Sequence, residues 1–206
     1  MSNLHNPARK TAAGVVTAQR RKRRSSGLPA GEPAPGRRPP APPRRKQGLA
    51  PVLGADARVL ILGSFPGEAS LAAQQYYAHP RNHFWRLLGA VLGEPLAELP
   101  YRARLAAIGR HRVGLWDTIV ACERRGSLDA AIRNAERGEV DRVRLLAPAL
   151  WLVCFNGRTA ARALPVWRAA GYATLVLPSS SPAYTRPFEE KLAAWMAIGA
   201  ALGAGS

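Results

Sequence analysis

Apolar and polar residues fall in blocks along this chain, and each block has its own spacing. "RVLILG" (residues 58–63) is a short apolar run bounded by Arg58 and Gly63, the pattern of a strand buried on both faces. "HFWRLLGAVLG" (83–93) spaces its apolar residues helically and ends in Gly93, which predicts a helix. A second helix is predicted over "ELPYRARLAAIGRH" (98–111), and a second strand over "VGLWDTIV" (113–120), ending near Asp117. Short helices over 127–133 and 139–148, the first with Ser127 as N-cap candidate, lead to a third strand, "ALWLVCFNG" (149–157). A helix over 158–171, kept in spite of Pro165, precedes a fourth strand in "YATLVLPSSSP" (172–182). An amphipathic helix with proline at its first turn (187–203) closes the chain. Strands alternating with helices predict a parallel sheet covered on both faces. The expected class is therefore α/β, a three-layer α/β/α fold around a four-stranded parallel sheet.

Residues 1–47 break the pattern. They hold 12 of the 30 Lys and Arg, a single acid (Glu32) and eight of the 18 prolines. Such a segment buries too little apolar surface to offset its ordering entropy, so it is expected to be a disordered basic tail preceding a domain over 48–206. Its run "RRKRR" (20–24) reads either as a phosphate-binding arm or as a solvated tail, even an upstream extension from a misassigned start. No apolar segment follows the basic cluster, so it is not a secretory signal. Of the net charge of +17, the tail carries +11, which leaves the domain mildly basic and compatible with DNA.

The remaining composition mainly excludes. In 206 residues that are 47% hydrophobic, no apolar run reaches the 18 or so residues of a membrane span. Cys122 and Cys154 show no metal-ligand spacing, which disfavours a disulfide framework, a zinc site or an iron–sulfur cluster. No cofactor or metal is expected, and a reduced, cytoplasmic setting is the default.

Ligands of such folds bind outside the carboxyl ends of the strands. There the chain carries "GSFPG", "WDT", "FNGR" and "PSSSPAYT", all polar or glycine-rich. Neither GxxxxGK[ST] nor GxGxxG occurs, and "GSFPG" lacks the central serine of a nucleophile elbow.

The ordered set "GSFPG", "YYAHPRNHFW", "GLWD", "FNG" and "SSSPA" resembles the uracil-DNA glycosylase superfamily, most closely its hypoxanthine (deoxyinosine) branch. The resemblance covers about residues 57–203 and excludes the tail. It implies a monofunctional DNA glycosylase of base excision repair, a monomer whose partner is damaged DNA. Such an enzyme flips a deaminated base from the duplex and hydrolyses its N-glycosidic bond. In bacterial-type cytoplasm it would sit with the nucleoid through DNA. Hypoxanthine is the expected base, with uracil and xanthine open.

The resemblance also implies roles for residues. Asn82, Ser64 and Asp117 are the catalytic candidates. In several branches a carboxylate or amide within the first motif activates water, whereas here that place is Phe65, so Asn82 of "HPRN" is expected to take the polar role. The alternative for Asn82 is a cap on the helix that follows. Tyr77 is placed to stack under the flipped base, with Phe65, His79 and Asn156 also at the base. Asp117 aligns with the residue that reads the base edge, where a carboxylate would accept N1–H of hypoxanthine. Ser179 stands where many relatives carry histidine. For DNA contact the candidates are Gly67, Arg81, Ser180, Ser181, Tyr184 and Arg186, with Tyr184 or Arg186 as the wedge that fills the vacated stack. A lyase route through a Schiff base is disfavoured, because Lys191, on the last helix, is read as a solvated residue. The alternatives are a non-catalytic nucleic-acid-binding module on this fold, favoured by Phe65 and Ser179, and an enzyme of free nucleosides.

Overall fold

A computed structural model describes residues 45–203. The expected tail therefore lies outside the described residues, except for its last three. Those three, Arg45–Gln47, form a strand (β1) paired antiparallel with Ile119–Glu123 (β4), so they pack onto the domain that follows.

The main sheet is the one the sequence predicts. Val59–Gly63 (β2), Val113–Asp117 (β3), Leu152–Asn156 (β6) and Ala173–Leu177 (β7) run parallel in the order β3-β2-β6-β7. Side chains alternate between its faces. Val59, Ile61, Val113, Leu115 and Cys154 pack against Phe84–Leu92 (α2), Tyr101–Arg110 (α3) and Phe188–Gly203 (α6). Leu60, Leu62, Trp116, Val153 and Phe155 face the other way, toward Val140–Leu146 (α4) and Leu164–Ala169 (α5). Apolar residues on both faces of each strand give the three layers. Pro165 does not interrupt a helix. It stands in the first turn of α5, after a 3₁₀ turn over Ala160–Ala163, where the missing N–H costs nothing.

Three features depart from the pattern. The run 113–120 is two strands, because the chain turns at Thr118, whose N–H bonds back to the Gly63 carbonyl at 2.9 Å. A short helix, Glu68–Ala73 (α1), follows "GSFPG". The segment 127–133 is not a helix. A 3₁₀ turn over Asp129–Ala131 ends where Arg133 Nη1 bonds the carbonyls of Ala130 and Ile132, each at 2.8 Å. The exposed Arg133–Arg137 (β5) then pairs with β4, completing a small antiparallel sheet in the order β1-β4-β5. Ser127 does not cap its own turn. Its Oγ accepts the Glu68 N–H at 2.9 Å, at the start of α1. No described helix is long and apolar enough to cross a membrane.

Candidate active site

The carboxyl ends of the parallel strands open into a cavity of about 310 Å³. That is the small end of ligand pockets, which run from about 300 to 1,000 Å³. All the residues singled out by the sequence line it except Arg81 and Arg186, which are exposed, Arg186 paired with Glu190 at 3.6 Å.

Its floor is set by strand register. Gly63, last in β2, pairs with Asp117, last in β3. A Cβ at Gly63 would overlap Asp117 Oδ1 and stand 3.0 Å from the Tyr77 hydroxyl. The glycine therefore makes room for both side chains. Asp117 is 4% exposed, and its Oδ2 finds no partner among the described residues. Burial pushes its pKa up to about 8, the negative charge of Asp129 adds to the shift, and Arg124 partly offsets it. A pKa raised that far favours the protonated form of Asp117 at neutral pH, with one O–H donor and one carbonyl acceptor.

Tyr77 lines the cavity with its ring stacked on Phe84, centroids 3.6 Å apart and planes within 7°. Its backbone is left-handed (φ 54°), a cost that a non-glycine residue bears only where packing imposes it. Its hydroxyl is buried beside Asn156 without a hydrogen bond of normal geometry, and burial raises its pKa. Phe65 is nearly buried, with Ile119 and Cys122, under the guanidinium of Arg124 at 4.8 Å.

Asn82 does cap a helix. Its Oδ1 accepts the Phe84 N–H at 3.0 Å, at the start of α2. That bond fixes the amide, commits one lone pair of the oxygen and leaves the NH₂ as its free donor. His79 Nδ1 accepts the Arg81 N–H at 3.2 Å, so in the neutral ring the proton sits on Nε2.

Across the cavity, the serine loop is tied to the sheet. Asn156 Nδ2 donates to Ser180 Oγ at 2.9 Å, and Ser180 N–H donates to Asn156 Oδ1 at 2.8 Å. The Ser180 carbonyl accepts His83 N–H at 3.0 Å. Ser180 is fully buried, and its backbone and hydroxyl groups are all engaged. It anchors the loop within the cavity lining. Asn156, which holds this clamp, also lines the cavity. Ser179, packed where a Cβ on Gly157 would strike it at 2.9 Å, and Ser181 remain partly accessible, and Tyr184 stands exposed at the rim. Gly67 precedes α1, its carbonyl accepting Leu71 N–H at 3.0 Å.

Residues the sequence reading missed complete the site. Asp129 lines the cavity and accepts a hydrogen shared between its two oxygens from Ser64 Oγ, each at 2.8 Å. Leu128, 64% exposed, stands beside it at the rim. Arg124 is buried and donates to the Pro66 carbonyl beneath the first motif. Lys191 is not solvated but 1% exposed. Its Nζ donates to the Tyr184 carbonyl at 2.6 Å, and burial lowers its pKa. The cue for Asp129 was the polar run "ERRGSLD" after an apolar strand; for Lys191 the helical pattern gave none.

Comparison with known proteins gives the family. The model of the uracil DNA glycosylase superfamily matches residues 50–199. A hypoxanthine DNA glycosylase of Methanosarcina barkeri is 42% identical over 151 residues, covering 73% of this chain and 96% of that one. One of Methanosarcina acetivorans is 41% identical over 153 residues, covering 74% and 97%. The solution NMR structure of a candidate uracil DNA glycosylase from M. acetivorans superposes with TM-score 0.72 at 40% identity, over 78% of this chain and 99% of that one. With its parallel sheet, its glycine-floored cavity and its serine loop, the chain belongs to the uracil DNA glycosylase superfamily.

Proposed function

We propose that this protein is a DNA-deoxyinosine glycosylase, which hydrolyses the N-glycosidic bond of hypoxanthine in damaged DNA and opens base excision repair. Its likeness to two proteins named hypoxanthine DNA glycosylase, over nearly their whole length, supports the activity. The observation that carries the base chemistry is the buried Asp117 in the cavity floor, with Oδ2 unpartnered among the described residues and its pKa raised by burial. Deamination turns an amino–imine edge into a lactam edge, with a carbonyl beside an N–H. A protonated carboxyl complements that edge with its O–H and its C=O together, whereas a carboxylate would repel the base carbonyl. Uracil and xanthine present the same edge, so they are the runner-up substrates.

The remaining groups have definable parts. The reaction passes through an oxocarbenium-like state with negative charge on the departing base. The free NH₂ of Asn82 and the Nε2 proton of His79 can donate to that charge. Tyr77, braced by Phe84, offers a stacking face, and base–aromatic stacking is worth roughly 1–3 kcal/mol. Tyr184 is the rim wedge, and Arg81, Arg186 and the basic tail meet phosphates. Lys191 is buried and spent on the Tyr184 carbonyl, so hydrolysis proceeds without a Schiff base. The protein acts as a monomer on nucleoid DNA in the cytoplasm.

A base-release panel on one duplex scaffold carrying deoxyinosine, deoxyuridine or deoxyxanthosine tests this reading, with free deoxyinosine alongside and no added metal. Hypoxanthine released from the duplex supports it. Binding without release would restore the non-catalytic module, and release only from free deoxyinosine would restore the nucleoside enzyme.

A further inference from the structure

Hydrolysis needs a group that takes a proton from water, and the residues assigned so far do not supply one. Phe65 has no polar atom, an amide such as Asn82 is a poor base, and the Asn82 oxygen already accepts Phe84 N–H. Asp117 already holds its proton at neutral pH. Asp129 is the other acid lining the cavity. It is presented at the first position of the 3₁₀ turn, and both its oxygens are held by Ser64 Oγ, itself fixed one residue beyond β2. Ser64 thus ties the carboxylate of a surface turn to the rigid end of the sheet.

We propose that Asp129 is the general base of this site, orienting the attacking water and accepting its proton, with Ser64 as its positioning partner. The inference rests on the glycosylase reading and names the group that reading leaves out. In the step, the C1′–N bond breaks and its electron pair leaves with the base. Water oxygen bonds to C1′, and one water proton passes to Asp129, which returns it to solvent. The departing base takes up a proton, so one water is consumed and a sugar hydroxyl and free base remain. The charged and titratable groups around Asp129 include Asp117 at the end of β3, Tyr77, Cys122 in β4, Arg124 just after it, and Arg133, whose guanidinium bonds the carbonyls of Ala130 and Ile132 in the same turn.

Asp129→Asn keeps the shape and an acceptor for Ser64 but removes the base. Single-turnover release of hypoxanthine is expected to fall about 100-fold, within the range of general-base catalysis. Affinity for the damaged duplex should stay within about threefold. Ser64→Ala, which only loosens the carboxylate, should cost less and gain nothing from added formate. In Asp129→Ala, added formate should restore part of the rate, a readout that does not depend on the stability of the asparagine variant. Wild-type rates in Asp129→Asn, or no rescue of Asp129→Ala by formate, would each overturn the assignment. A wild-type protein that releases no base would instead overturn the glycosylase reading itself.

Discussion

One wall of the cavity is the carboxyl edge of the parallel sheet, and the opposing side is built by the turn between β4 and β5. Each brings an aspartate. Asp117 is fixed by strand register against Gly63, buried and neutral. Asp129 sits on a 3₁₀ turn, half-buried and bonded to a serine hydroxyl. The same side chain thus serves as a hydrogen-bond donor on one wall and as a proton acceptor on the other. The difference teaches that environment, not residue type, sets the division of labour between two acids in one site.

The strongest way to break the sheet wall is Gly63→Ala. Its Cβ has no room beside Asp117 Oδ1 and Tyr77, so one or both must leave the cavity floor. Activity should fall by more than about 100-fold, and stability by about 1–3 kcal/mol as for other overpacked sites, read by single-turnover release and urea unfolding. Unchanged release would mean that the floor is not where the base docks.

Asn82→Ala should slow single-turnover cleavage by more than about tenfold, or about 1.4 kcal/mol of barrier, with little change in DNA binding. It also removes a helix cap, at about 1 kcal/mol of stability. Asn82→Asp separates the two roles, because it keeps the cap acceptor and loses the NH₂ donor. A stable but slow variant supports the donor role; a stable variant at wild-type rate reduces Asn82 to a cap.

Asp117→Asn sharpens the comparison, because an amide copies a neutral acid with one donor and one acceptor. The rate at pH 7 should stay within about fivefold, while Asp129→Asn loses far more. Stability should respond to pH as well. The folded-state pKa, about 8, lies above the ordinary value of 3.8. Between those values the folded protein keeps a proton that the unfolded chain has released. The wild type therefore loses stability as pH rises through that window, by up to about 1.4 kcal/mol per unit, and the loss levels off above pH 8. The asparagine variant should lack this contribution and gain most near pH 8, in melting curves taken at each pH. Parallel curves would mean that Asp117 is ionised throughout.

The smallest effect concerns the tail. Deleting residues 1–44 should leave the chemical step unchanged, lower affinity for all duplexes alike and flatten the plot of log affinity against log salt. A loss confined to damaged duplex would place the tail in the site. Deleting residues 1–47 should also lower the melting temperature, because it strips β1 from the edge of β4.

How much of this was legible in the sequence follows the same division. The first three strands were plain, because both faces of each are buried; the fourth, with Ala173 and Val176 exposed, was still marked by its apolar run into the serine loop. Asp117 and the serine loop were found by position at the ends of those strands. The small sheet was not, since β5 is exposed along its whole length and carries no apolar signal. Asp129 was hidden for that reason. Its segment reads as the start of a helix, and only the fold brings it against Ser64, 65 residues earlier in the chain. Asn156 and Ser180 were recognised as site residues, but their mutual clamp depends on tertiary pairing. Lys191 looked solvated because burial of a lysine with a backbone carbonyl as partner leaves no mark in a helical pattern.

The central claim, a glycosylase acting on deaminated bases in DNA, is tested most directly by incubating excess protein with a duplex containing one deoxyinosine. Free hypoxanthine and the abasic strand should appear in equal amounts. No protein–DNA adduct should form with borohydride, and free deoxyinosine should stay intact. A duplex that is bound but keeps its base, or hypoxanthine arising only from the free nucleoside, would contradict the account.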